Sequence, residues 1–361
     1  MLCSDGTRMS FEQQRQLQGT RVGHGDGEEY DNSVRLEAWL RPRTPHGFRF
    51  EGCWLHMRSW LPDEADKIRG VIFYIHGLNG HINTPSMHST FQDLSDRCYA
   101  VLSFDQVGNG YSDGLRSYVE DFEHVFKSVL HFVELVMGGS ASLAKGDSNF
   151  GLPEATLQQL RMLPFFFYGD SMGGMLAMYS SLRLEQSGVA WLKRFRGTIL
   201  IAPALKVPIP GPLVVFLLQT LVVPLASTQL MPEGISSSSK PDPALIVRDK
   251  SKAELKALDD WNRFPGLGIG WQGKMRWATA SAFATIYGRI EDDMRLVSCP
   301  LLIVHDPKDG ITSFSGSQRL FELCVSSDKK LVEAPGCLHD IVANEPQWSL
   351  DEMIPWLDSR S

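Results

Sequence analysis

The chain has 361 residues, enough to bury a full hydrophobic core in one large α/β domain or two smaller ones. Hydrophobic residues at 43% and charged residues at 21% argue against a disordered, collagen-like or multi-span membrane protein. The formal net charge of -7 leaves no basic footprint for a phosphate backbone, which argues against nucleic acid as a partner.

Six cysteines (Cys3, Cys53, Cys98, Cys299, Cys324, Cys337) are scattered without a CxxC pair, so neither a zinc site nor a disulfide framework is expected. The N-terminal text has no apolar signal region, is not an Arg/Ser-rich transit peptide and lacks Gly at position 2. The default expectation is a cytoplasmic protein.

In chain order, residues 1–31 are polar, Gly-rich and aperiodic, the pattern of a flexible N-terminal arm. Residues 47–60 (GFRFEGCWLHMRSW) are aromatic-rich and alternate in places, which predicts an antiparallel strand pair. Residues 70–75 (GVIFYI) are an unbroken apolar run, as in a strand buried on both faces of a parallel sheet. That pattern recurs at 99–104 (YAVLSF), 164–168 (PFFFY), 198–202 (TILIA) and 301–304 (LLIV). Between the runs lies helix-like text such as 118–137, with apolar residues at three- and four-residue steps. Residues 138–151 are Gly/Ser-rich and read as a surface loop. Strands alternating with helices predict an α/β fold with a mainly parallel sheet covered on both faces.

After Ala202 about a hundred residues pass before the next buried run, far longer than an ordinary αβ connection. An inserted cap is therefore expected over 205–294, within a core formed by 32–204 and 295–361. The cap opens on the uncharged text 208–226 (PIPGPLVVFLLQTLVVPLA), whose apolar stretch from Leu213 to Ala226 contains Gln219 and Pro224. It is shorter than the roughly 20 residues that a membrane-spanning helix needs. Two readings remain: a lid with its apolar side toward substrate or a membrane surface, and an ordinary buried helix. The insert continues through SSSSKPDP into helix-like text holding Trp261, Trp271 and Trp277.

The most informative segment is 164–180 (PFFFYGDSMGGMLAMYS), where a buried strand runs through Gly169-Asp170-Ser171-Met172-Gly173 into helical text. This is G-x-S-x-G in strand–turn–helix context, which exposes a serine hydroxyl for use as a nucleophile. Gly169 and Gly173 suit so tight a turn, because a side chain at either would crowd it. Asp170 as an alternative nucleophile fails on register, since the flanking positions would then be Tyr168 and Met172.

An acyl-transfer intermediate needs two N–H donors aimed at its oxyanion. Met172 follows the nucleophile and supplies one; Leu78, in His76-Gly77-Leu78-Asn79-Gly80 after GVIFYI, is the candidate for the other. His76 lies before Ser171 in a Gly loop and is assigned a loop-stabilising role. With a nucleophile on such a turn the chain order is Ser, then acid, then His. Of ten histidines only His305 and His339 follow Ser171. His305 precedes any acid that the LLIV strand could present, which leaves His339, in a turn-rich loop after Leu331-Val332. The loop after LLIV (HDPKDG) offers Asp309 and Asp306 as the acid that orients the base. Asp309 is preferred, because the position just past a strand is more often used in turn chemistry; Asp306 stays open.

Together HGLNG, FDQVGNGYSDG, GDSMGGM, VHDPKDGIT and EAPGCLHDIVANEP resemble the monoacylglycerol lipase and lysophospholipase branch of the α/β hydrolases, including its plant caffeoylshikimate-esterase-like members. The resemblance spans residues 50–357. It implies the α/β-hydrolase fold with an inserted cap, and by position an oxyanion hole at Leu78 and Met172 and the triad acid at Asp309. Asp170 departs from animal monoacylglycerol lipases, which carry His before the nucleophile, and is nearer the plant relatives. The text of the insert differs from both groups.

These observations predict a serine hydrolase acting on lipid-like carboxylic esters, with monoacylglycerol or lysophospholipid as first substrate class. No metal or organic cofactor is implied. The alternatives are a hydroxycinnamoyl esterase and a non-catalytic small-molecule receptor on the same fold. A peripheral membrane contact through the stretch between Leu213 and Ala226 is a further expectation, while oligomeric state leaves no mark in the sequence.

Overall fold

Among the described residues, the unbroken apolar runs form the centre of a nine-stranded sheet with the order β5-β1-β2-β4-β3-β6-β7-β8-β9. The computed structural model describes residues 46–361, apart from 52, 83–84, 111, 116, 140–147, 208–209, 233–242 and 251–274. The expected arm over 1–31, most of SSSSKPDP, and Trp261 and Trp271 lie outside the described residues.

The strands are β1 (Gly47–Phe50), β2 (Cys53–Trp60), β3 (Gly70–Ile75), β4 (Tyr99–Phe104), β5 (Ser148–Asn149), β6 (Phe165–Asp170), β7 (Phe195–Ile201), β8 (Leu301–His305) and β9 (Lys329–Glu333). From β4 through β9 all pairings are parallel, whereas β1, β2 and β5 are joined by antiparallel ladders. The 47–60 segment is thus the expected antiparallel pair. Ser148–Asn149, inside the stretch expected to be a loop, adds a two-residue edge strand instead, held by pairing with β1.

The helices are α1 (Pro85–Asp96), α2 (Phe122–Met137), α3 (Glu154–Leu160), α4 (Met172–Ser187), α5 (Pro212–Leu217), α6 (Val223–Ala226), α7 (Trp277–Tyr287), α8 (Ile290–Met294), α9 (Phe314–Leu323), α10 (Ile341–Asn344) and α11 (Pro346–Asp358). The Asp121 side chain accepts the Glu123 N–H and caps the start of α2, so the helix begins four residues into the predicted text.

Alternation along each strand divides the core into two layers. Val71, Phe73 and Ile75 of β3 face a cluster with Phe126, Val129 and Val133 of α2 and Met175, Leu176 and Tyr179 of α4. Ile72 and Tyr74 face the opposite cluster with Phe91 and Leu94 of α1 and Met353, Trp356 and Leu357 of α11. With both faces covered, β3 and β4 are buried at every residue, which is why their text shows no polar alternation.

Between β7 and β8 lie α5, a π turn at Leu218–Val222, α6, α7 and α8. Pro224 has no N–H to donate to the carbonyl of Thr220, and the ladder widens into the π turn just ahead of it. The buried-helix reading of this stretch fails: no residue of α5, the π turn or α6 is buried, and Leu213 is 70% and Leu225 88% exposed. No helix among the described residues is long and apolar enough to cross a membrane.

Candidate active site

Strand β6 ends at Asp170 and α4 begins at Met172, so Ser171 alone makes the turn between them, with φ 54° and ψ -123°. This backbone costs of order 1–3 kcal/mol for a residue with a Cβ and persists because the surroundings over-determine it. The Ser171 N–H donates to Ile201 O at 3.0 Å, and Ser171 O accepts from Gly174 N at 3.0 Å and Ala204 N at 2.8 Å. The flanking glycines are steric requirements. A Cβ on Gly169 would lie 2.1 Å from Gly173 O, and one on Gly173 would lie 1.9 Å from Ile75 O. The helix start is thereby pressed against the end of β3.

The loop after β3 carries His76, Gly77 and Leu78. Buried His76 lies 2.9 Å from Gly77 O through Nδ1 and accepts the Gln106 N–H at Nε2, at 3.0 Å. A carbonyl only accepts, so the proton sits on Nδ1 and the ring is neutral. Burial pushes its pKa down to about 4 despite the nearby Asp105. His76 thus ties the β3 loop to the loop after β4, as its loop-stabilising assignment requires. Gly77 brings that loop against the turn, since a Cβ there would lie 3.1 Å from Ser171 Cβ. Leu78 is half-buried and its N–H donates to no described residue. The Met172 N–H, first in α4, is among the helix donors that have no intrahelical acceptor.

The loops after β8 and β9 meet beside this turn. His339 Nδ1 lies 2.7 Å from Asp309 Oδ2, and the Asp309 side chain is wholly buried. Oδ1 of Asp309 accepts the Ile311 N–H at 2.7 Å and the Thr312 N–H at 3.1 Å. Desolvation pushes the Asp309 pKa up, but hydrogen bonds from His305 and His339 and the charge of His339 outweigh it and hold the carboxyl far below the usual range. Asp306 is used differently: Oδ1 accepts the Lys308 N–H at 2.8 Å and Oδ2 the Leu338 N–H at 2.7 Å. Both of its oxygens serve backbone, as turn chemistry does.

Asp309 and His339 are therefore joined directly, while no hydrogen bond joins the Ser171 hydroxyl to a described residue. Ser171 is connected through the sheet, where Asp170 pairs with Ile201 and Ile201 with Val304. Thr312 Oγ1 closes the path, lying 3.0 Å from Ala202 O, 2.9 Å from Asp309 Oδ2 and 3.3 Å from His339 Nδ1. His339 Nε2 has no partner among the described residues.

Sequence reasoning missed three of these groups. His305, set aside as a base, contacts the acid; Thr312 links the β7 end to the acid; and Tyr74 donates to Asp170 Oδ1 at 2.5 Å behind the turn. The spacing of His305 and Asp309, four residues apart across a turn, was the one available signal for the first.

The chain matches the family Hydrolase_4, described as serine aminopeptidase, S33, over residues 66–347. It is 24% identical over 324 residues to caffeoylshikimate esterase of Arabidopsis thaliana, covering 88% of this chain and 84% of that one. It is 24% identical over 319 residues to monoglyceride lipase of Rattus norvegicus, covering 88% and 90%. Among solved structures, a soluble variant of Saccharomyces cerevisiae monoglyceride lipase in complex with a substrate analog superposes with a TM-score of 0.63 at 20% identity, covering 89% of this chain and 98% of that one. With its sheet order, its strand–serine–helix turn and a family match over most of its length, the chain belongs to the Hydrolase_4 family, on the monoglyceride-lipase-like branch of the α/β hydrolases.

Proposed function

We propose that the chain, a carboxylic ester hydrolase of this branch, cleaves lipid-like esters through an acyl-enzyme on Ser171. Monoacylglycerol or lysophospholipid is its substrate class. The observation that carries the reading is the 2.7 Å contact of His339 Nδ1 with buried Asp309, which commits that nitrogen and leaves Nε2 for a serine proton. In the proposed cycle His339 Nε2 takes the Ser171 proton as Oγ attacks the ester carbonyl. The Leu78 and Met172 N–H groups hold the oxyanion, each worth about 10² to 10³ in turnover. The alcohol leaves with the proton from His339, and water activated by the same ring releases the acid.

The lipid preference is supported by the apolar cap between β7 and β8. Part of it reaches the base: His339 N donates to Leu245 O at 3.4 Å and Asp340 N to Ile246 O at 3.1 Å. Residues 205–294 are thus read as a lid on a core of 32–204 and 295–361. Burying each methylene of an acyl chain under such a lid contributes about 0.8 kcal/mol. The exposed side chains of α5 to α6 are read as a peripheral contact with a lipid surface.

A second reading, a hydroxycinnamoyl esterase, is favoured by the equal identity to the Arabidopsis thaliana enzyme. A panel of glycerol, lysophospholipid and hydroxycinnamoyl esters separates the two. Fluorophosphonate labelling tests the nucleophile: label on Ser171 of the folded protein is expected, with Ser171→Ala lowering turnover by about 10⁶. Absence of label together with retained turnover in Ser171→Ala overturns the reading.

A further inference from the structure

A second histidine, His305, sits on the acid, and the proposed cycle does not use it. It ends β8, and its side chain is wholly buried. Its Nε2 lies 3.2 Å from Asp309 Oδ2, the same oxygen that contacts His339 Nδ1 at 2.7 Å. Its Nδ1 lies 2.7 Å from Ser317 Oγ on α9, and the ring of Phe314 meets it edge to face at 5.7 Å.

The chemistry of these partners sets the ring's proton. An ionised carboxylate only accepts, so the contact with Asp309 requires a proton on His305 Nε2. In the neutral ring Nδ1 then carries a lone pair, and Ser317 Oγ donates to it. The tautomer is held from both sides, by a carboxylate and by a hydroxyl. Thr312 Oγ1 has one proton and two acceptors in reach, Ala202 O and Asp309 Oδ2, so it cannot replace a dedicated donor.

We infer that His305 is a positioning residue for the acid: with Ser317 it forms the outer half of a His305–Asp309–His339 array in which two imidazoles share one carboxylate oxygen. The inference rests on the triad reading given above. The Ile311 and Thr312 N–H groups hold Oδ1 of Asp309, and His305 completes the fixing of the carboxylate from the Oδ2 side, so that Oδ2 meets His339 in line. Its N–H also draws on the charge of that oxygen, which limits how strongly Asp309 stabilises a protonated His339. The groups around the array are Asp306 and Asp309 from the β8 loop, His339 from the β9 loop, Ser317 and Phe314 from α9, Thr312, and Ala202 O from the end of β7. Of these Asp306, Asp309 and His339 are the ionisable side chains that face His305, and Asp306 is engaged by backbone N–H groups.

The test compares His305→Leu, which lacks a donor, with His305→Gln, which keeps one. Hydrolysis of p-nitrophenyl butyrate is followed as kcat/KM against pH. The ring signals of His339 are titrated by NMR in ¹³C-histidine protein carrying Ser171→Ala, a readout independent of turnover. In His305→Leu the acid limb and the His339 titration are expected to move to higher pH by roughly half to one unit, with kcat down about tenfold; His305→Gln restores both. A fall in kcat with an unmoved limb, or Gln behaving like Leu, overturns the inference. Should His305→Leu fail to fold, Ser317→Ala carries the test: it releases the tautomer and is expected to move the limb the same way, and an unmoved limb again overturns. A parent protein that neither hydrolyses the ester nor takes a fluorophosphonate label defeats the triad reading instead, while the His339 titration still decides whether His305 and Asp309 act as a pair.

Discussion

The Leu338 N–H donates to Asp306 Oδ2 at 2.7 Å, so the loop after β8 holds the residue that precedes His339 in a left-handed backbone, φ 56°. Asp306 and Asp309 thus support the same histidine by different means, one through the backbone of the residue before it and one through its ring. Asp309→Asn is expected to lower turnover by about 10⁴ through the wrong tautomer. Asp306→Asn keeps a side-chain acceptor and is expected to cost only about tenfold, a hydrogen bond's worth. Steady-state kinetics on the two variants check this; equal losses would mean that Asp306 shares the acid's role.

His76 makes stability depend on pH. Its folded-state pKa is depressed to about 4, against an ordinary value near 6.5, so between those values the unfolded chain binds a proton that the folded chain refuses. Its contribution is complete above pH 6.5 and is lost as pH falls toward 4, about 3 kcal/mol over the interval. Urea unfolding from pH 7 to pH 4.5 should show a shallower loss for His76→Gln than for the parent. Parallel curves would contradict it.

The turn at Ser171 should tolerate no side chain at Gly169 or Gly173, two positions to either side of the serine. In Gly173→Ala the new methyl would lie 1.9 Å from Ile75 O, and backbone at the centre of a sheet cannot retreat. A destabilisation of about 3 kcal/mol or more is expected in thermal or urea unfolding. A variant with the parent's midpoint would show that β3 and α4 are less tightly apposed.

The lipid-surface contact proposed for the exposed apolar side chains of α5 to α6 is open to a direct test. Leu217 is 42% and Leu221 58% exposed, and fully burying such a side chain contributes about 1.5–3 kcal/mol. The double variant Leu217→Asp, Leu221→Asp should lower co-sedimentation with phosphatidylcholine vesicles by at least about tenfold. Unchanged co-sedimentation would rule the contact out.

Strands buried on both faces were legible because burial leaves no room for polar residues, and GVIFYI, YAVLSF and LLIV each became a strand. Ser148–Asn149 was not legible, since two residues paired only to β1 need no apolar text. Periodicity was blind to whether α5 to α6 faces core or solvent, because an uncharged stretch has the same text in either place. Within the site, chain order left His339 and an aspartate of the loop after β8, with turn chemistry favouring Asp309, and His339 and Asp309 lie in contact. It could not rank Asp306 below Asp309 on geometry, because that depends on which backbone N–H groups each oxygen meets. Nor could it reveal His305, whose use is decided by a turn that folds the chain back on itself.

The outer strands of the sheet bear on how the molecule behaves when crowded. One margin, β5, is two residues long among the described residues, too short to template a neighbour. The other, β9, opens on Lys329 and Lys330, charged side chains that a second copy extending the ladder would have to desolvate. The central strands, which are among the most adhesive text in the chain, are thereby screened from intermolecular pairing once folding is complete, and aggregation should arise from partly folded chains rather than from the finished structure.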